Sequence, residues 1–135
     1  MPINPVKEPS MFRLGIVGHG FVGQAVEYAF THPIVQFRLY DPKYNTDVEE
    51  LEEMDREDHP QCFFICAPTP SNDDGSVNSS IVETAVIKCL NYTDAMVIVK
   101  STITPDVVHR LYSAMNEEQK DRFAYNPEFL TEKNA

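Results

Sequence analysis

Positive charge is scarce in this sequence. Lys and Arg number 11 against 21 Asp and Glu, a formal net charge of −10. Nothing resembles a basic patch, which argues against a nucleic-acid partner or an anionic-membrane surface. Much of the acid falls between Asp47 and Asp58 and reads as one solvated helix face. No apolar run reaches membrane-spanning length. Residues 1–11 begin with three prolines in the first ten positions and no apolar h-region, so they read as a loose lead-in arm rather than a signal peptide. Cysteine is rare, with only Cys62, Cys66 and Cys89, and no C-x-x-C or His/Cys metal spacing accompanies it, so no metal is expected. Cys62 and Cys66, four apart in one strand candidate, are too far apart to bond. All three read as buried, reduced thiols of a cytoplasmic protein, and the sequons at Asn78 and Asn91 as chance matches. There is no repeat, internal linker or second core. The 135 residues are near the size of one domain, read here as 12–135.

What is present begins at Phe12. Phe12 to Val17 is an apolar strand candidate, followed by Gly18, Gly20 and Gly23 in G-x-G-x-x-G spacing. The pattern then turns helical, with Val22, Val26, Ala29 and Phe30 near one face. In a strand–turn–helix, Gly18 allows the tight turn, Gly20 lets backbone approach a pyrophosphate, and Gly23 lets the helix pack against the strand. The free amides and dipole of the helix start then hold the diphosphate. The plainer alternative is a glycine-rich turn that merely joins strand to helix. A second strand candidate, Val35 to Tyr40, ends in Asp41, 18 residues after Gly23. A carboxylate there meets the adenosine ribose hydroxyls and repels a 2′-phosphate, favouring NAD, while Lys43 keeps NADP open.

The remaining chain continues the alternation. Thr46 or Asp47 caps a helix to about Asp55 with Val48, Leu51 and Met54 as its stripe. Gln61 to Ala67 is a short buried strand, stopped at Pro68-Thr69-Pro70. A polar loop with an Asp73-Asp74-Gly75 turn follows, then an amphipathic helix from Ile81 to Leu90. Ala95 to Val99 is another buried strand. Thr104 caps and Pro105 starts a helix to about Met115, and Arg122 to Tyr125 is the last strand. The expected fold is α/β, a Rossmann-like open parallel sheet of about five strands with helices on both faces. Asp41, Thr69, Thr102 and Glu128 each follow the carboxyl end of a strand, the edge where such sheets bind ligands.

Gly18-His-Gly-Phe-Val-Gly23, Ala67-Pro-Thr-Pro70, Lys100-Ser-Thr102 and Asn126-Pro-Glu-Phe-Leu130, in that order, resemble the UDP-glucose/GDP-mannose dehydrogenase family. The resemblance covers roughly Phe12 to the last residue. It implies an enzyme that oxidises a nucleotide sugar's C6 alcohol twice, to a carboxylate, with two NAD⁺. A cysteine holds the intermediate as a thiohemiacetal and then as a thioester that water hydrolyses. It also implies a homo-oligomeric full-length protein. Gly18, Gly20, Phe21, Val22, Gly23, Asp41, Lys43, Thr69 and Thr102 would line the cofactor, and Thr102 would position the water. Glu128 would sit in the sugar site, with Phe129 and Leu130 shaping the nucleotide-sugar loop, and Glu132 would work with Thr102 and Glu128 in acid/base chemistry. Read without the family, Thr102 is a strand-end cap, and Glu128 and Glu132 are helix first-turn acids.

The departures from the pattern carry expectations of their own. Only 19 residues separate Asp41 from Gln61, room for one helix, so the third family strand is read as deleted and the five strands as ordered 2-1-3-4-5. Thr131-Glu132-Lys133 replaces the usual Arg and Glu-Gly. His19 is read as solvent-exposed, or as a phosphate donor. The family's later lysine, asparagine and nucleophilic cysteine, in a central helix and second domain, have no counterpart among these residues. The expectation is the cofactor-binding part of a longer dehydrogenase, inactive alone. A self-sufficient NAD-binding module and a β-hydroxyacid dehydrogenase-like cofactor domain are the alternatives.

Overall fold

The computed structural model describes residues 11–40 and 60–128. Strand β1 (Phe12–Val17) leads through the glycine turn into α1 (Phe21–Ala29) and β2 (Val35–Tyr40). Then come β3 (Cys62–Ile65), α2 (Ser80–Tyr92), β4 (Met96–Val99), α3 (Pro105–Ala114), α4 (Glu117–Asp121) and β5 (Phe123–Tyr125). All strand pairs are parallel, in the order β2-β1-β3-β4-β5. Among the described residues this is the expected Rossmann-like sheet, with β2 at one edge. The helix expected between Thr46 and Asp55, and with it the deleted-strand reading, lies outside the described residues.

Burial explains the strands. β3 runs Cys-Phe-Phe-Ile with every residue buried, as a central parallel strand covered on both faces must be. Its alternate side chains feed two cores. Phe63 and Ile65 join Val82, Ala85, Val86, Cys89 and Leu90 of α2 and Val107 and Leu111 of α3. Cys62 and Phe64 join Leu14, Ile16 and Val26, with Val22 packed against them. Helices thus cover both faces, α1 on one and α2 with α3 on the other. The apolar stripe of α2, at i, i+3, i+4 spacing, is why it forms where it does.

Several local expectations are corrected. Ala29 is exposed, and the end of α1 is held instead by the Phe30 ring, 5.2 Å from that of Phe64. Thr104 occupies the N-cap position of α3, with Pro105 at the first turn, but its hydroxyl makes no capping bond. It hydrogen-bonds the carboxylate of Asp106 and holds that carboxyl below its usual range. Helix α4 was not expected. Its residues are polar and none is buried, so no apolar stripe announces it. A reciprocal pair holds it: Asn116 Oδ1 accepts from the Gln119 amide, and Gln119 Oε1 from the Asn116 amide. Cys66 lies beyond the end of β3 and is half-buried, not fully buried as expected.

Among the described residues no helix is long and apolar enough to cross a membrane. Nor does any group of three or more His, Cys, Asp or Glu among them form a metal-binding cluster.

Candidate dinucleotide and nucleotide-sugar site

The parallel sheet delivers the carboxyl ends of all five strands to one edge. At β1 the chain turns through Gly18, whose φ of +92° is a conformation that side chains other than glycine's rarely adopt. A Cβ there would lie 2.5 Å from the Cys66 carbonyl oxygen. At Gly23 a Cβ would overlap the carbonyl oxygen of Gly18, so the absence of a side chain lets α1 sit on the turn. Gly20 is different, since a Cβ there meets nothing within 4 Å. Among the described residues its open side is clear to that distance, and the amides of Phe21, Val22 and Gly23 after it have no partner inside the helix. The first turn of α1 carries no acidic residue that would oppose an anion. A diphosphate therefore fits here on three counts: open space, unpaired amides and a favourable dipole. Phe21 is exposed at the mouth, and Val22 anchors the turn to the core.

His19 is not solvent-exposed as expected. Its ring folds back onto α1, with Nε2 3.1 Å from Glu27 Oε1 and the side chain 17% exposed. The Gln24 side-chain amide donates to its carbonyl, 3.1 Å away, so the turn is braced by the helix it precedes.

The strand ends are tied to one another. The Gly18 amide donates to Tyr40 O, fastening the glycine turn to the end of β2, directly before Asp41. Cys66 N donates to Val17 O, and Lys100 N and Ser101 N both donate to Ile65 O. Ser101 is buried, and its hydroxyl donates to Ala67 O at 2.7 Å, setting the exit of β3 on which the half-buried Thr69 sits. On the other side Lys100 Nζ lies 2.7 Å from Glu128 Oε1 and 3.1 Å from Asn126 Oδ1. The exposed Thr102 donates to Glu128 O at 3.3 Å. Tyr125 donates to Ile103 O and accepts from Ile103 N, fixing the segment just after Thr102.

Thr69, Thr102 and Glu128 are thus brought to one edge with the glycine turn. Asp41, Lys43, Phe129, Leu130 and Glu132 lie outside the described residues. Sequence reasoning gave no role to Lys100 or Ser101. The available signal was three polar residues in a row directly after a buried strand, at the edge where unpaired strand ends need partners. Replacing Ser101 with alanine leaves the buried Ala67 carbonyl without its donor. The expected cost is about 1–3 kcal/mol of stability, read from thermal melts, with a several-fold loss of NADH affinity in calorimetry.

Of the three thiols only Cys66 lies near this edge, and burial favours the protonated form of all three. Burial pushes Cys62 up to about 11. Burial likewise pushes Cys66 to about 12, against a downward pull from Lys100 and with an upward push from Glu128. Burial raises Cys89 as well. All three are free. A groove of about 370 Å³ between α2 and α3, bordered by Glu83, Arg110, Asn91 and Gln119, is lined by none of the strand-end motifs.

A parallel sheet with a glycine turn that fits a diphosphate, and tied polar loops along the same edge, defines a dinucleotide-binding Rossmann domain. The model of the UDP-glucose/GDP-mannose dehydrogenase family, NAD binding domain, matches residues 43–135, which hold the three later motifs. The chain belongs to that family, and NAD is the cofactor of the domain. A UDP-glucose dehydrogenase from the hyperthermophilic archaeon Pyrobaculum islandicum is 25% identical, with a TM-score of 0.65 over 98% of this chain. GDP-mannose dehydrogenase from Pseudomonas aeruginosa is 20% identical and shares the fold, with a TM-score of 0.63 over 89% of this chain. The chain spans 39% of the first of these and 37% of the second. No curated protein sequence matches it.

Proposed function

We propose that this chain is the cofactor-binding part of a cytoplasmic nucleotide-sugar dehydrogenase that converts UDP-glucose to UDP-glucuronate with two NAD⁺. The observation that supports the reading is the tie between strand ends, which leaves Thr69, Thr102 and Glu128 on one edge with the open side of Gly20. The chemistry supplied by bound NAD⁺ is two-electron oxidation. The glycine turn and the amides of Phe21 to Gly23 hold the diphosphate, and Asp41 accepts from the ribose hydroxyls. Thr102 gives its one proton to Glu128 O and keeps its lone pairs for a water. Glu128 receives a sugar hydroxyl beside Phe129 and Leu130. Glu132 draws the proton from the water that Thr102 holds.

The cofactor preference tests the reading directly. NADH is expected to bind this chain more tightly than NADPH in calorimetry, and Asp41→Ala to weaken NADH by about 1–3 kcal/mol, the cost of leaving polar partners unmatched. Equal or tighter binding of NADPH would remove Asp41 from the ribose site.

A further inference from the structure

The ammonium of Lys100 is nearly enclosed, with its side chain 11% exposed. Enclosing a charge is costly, and an apolar side chain of similar volume stabilises a fold as well or better. Stability alone therefore does not account for a lysine here. Its partners show a narrower purpose. Glu128 is held at three atoms by two residues of one turn. Its amide donates to Lys100 O at 3.0 Å, its carbonyl accepts from Thr102 Oγ1, and its Oε1 accepts from Lys100 Nζ. Asn126 Oδ1 takes a second proton of the same ammonium, so the cation is itself fixed. A glutamate side chain 42% exposed on a strand-exit loop would otherwise spread over many rotamers. Among the described residues only Oε1 takes a hydrogen bond. That leaves Oε2 for a hydroxyl arriving from outside.

We propose that Lys100 is a positioning residue for the nucleotide-sugar site: held by Asn126, its ammonium sets the Glu128 carboxylate to receive a sugar hydroxyl. This rests on the proposed function, since it takes Glu128 to be the group that meets the sugar. Holding an acceptor in its bound geometry before the ligand arrives removes an ordering cost from binding.

The test is a double-mutant cycle on the chain saturated with NADH, with UDP-glucose as the probe, followed by calorimetry or ligand line broadening. Lys100→Met and Glu128→Gln are each expected to weaken UDP-glucose about tenfold, the loss of one hydrogen bond to a charged group. If Lys100 acts through Glu128, the double variant is weaker than Glu128→Gln by less than about twofold. Full additivity would assign Lys100 a separate, merely structural part and overturn the proposal. So would unchanged binding in Lys100→Met, or no UDP-glucose binding by the NADH-loaded chain. If Lys100→Met does not fold, Lys100→Arg decides, because it keeps a cation that pairs with a carboxylate. It is expected to hold UDP-glucose within about threefold of the parent chain, and a full tenfold loss would overturn the proposal. Failure of the unaltered chain to bind NADH at all is a separate result, and it would overturn the proposed function.

Discussion

Gly20→Ala is expected to melt within about 2 °C of the parent chain yet lose NADH affinity at least about tenfold, whereas Gly23→Ala and Gly18→Ala should lose stability outright. The three glycines differ in what an added methyl would meet. At Gly20, with φ of −83° and nothing within 4 Å, alanine is accommodated by the protein alone. The methyl then stands in the space assigned to the diphosphate, so the damage is confined to binding. At Gly23 the methyl overlaps the backbone oxygen of Gly18, which cannot swing away as a side chain could. At Gly18 the strain of φ +92° adds to a Cβ placed 2.5 Å from the Cys66 carbonyl oxygen. Backbone strain and overpacking each cost about 1–3 kcal/mol, so about 2–6 kcal/mol is expected at Gly18, where both act, and about 3 kcal/mol at Gly23, where the overlap with backbone acts alone. That is a large share of the stability of a domain this size and corresponds to a melting temperature lower by on the order of 10 °C. Melts and NADH titrations of the three variants check it. A Gly20→Ala chain that binds NADH normally would move the diphosphate away from this turn.

The order of the sheet was legible because periodicity and strand-end residues carry it. β3 is apolar throughout, the mark of a central strand, although it ends at Ile65, two residues before the Ala67 end that the Pro68-Thr69-Pro70 stop suggests. What was not legible is what depends on partners distant in sequence. Gln61 reads as a strand residue, but its side-chain oxygen accepts from Arg13 N, and β3 begins one residue later. His19 is polar and lies in a turn, which predicts exposure. The return of α1 brings Glu27 alongside it, a partner eight residues away that the turn itself does not announce. Helix α4 carries its signal in Asn116 and Gln119, three apart, and a search led by apolar stripes passes over it. At the site, Thr69, Thr102 and Glu128 could be placed on the edge from strand ends alone. The ties that Lys100 and Ser101 make across β3, β4 and β5 span 26 to 36 residues, and no local pattern encodes them.

With NAD⁺ and UDP-glucose together, this 135-residue chain is expected to produce no NADH. By family resemblance the double oxidation passes through a cysteine that approaches the sugar's C6 as a thiolate, and a thiol is a nucleophile only in that form. The three cysteines of this chain do not meet the requirement. Cys62 is buried in the centre of the sheet, and Cys89 is buried between α2 and the sheet. Cys66 comes nearest to the site, because Lys100 and Glu128 both act on it, yet burial outweighs the pull of Lys100 and its thiol is pushed up to about 12. At pH 8 a thiol of that kind is almost wholly protonated, the form that is not the nucleophile. The same burial predicts that a thiol-specific disulfide reagent leaves all three unlabelled in the folded chain and labels three equivalents after denaturation. NADH absorbance followed over hours checks the first expectation, and release of the reagent's chromophore checks the second. Steady NADH production that disappears on Cys66→Ser would make Cys66 the nucleophile. Production that survives replacement of all three cysteines would mean that the oxidation in this protein needs no thiol of its own.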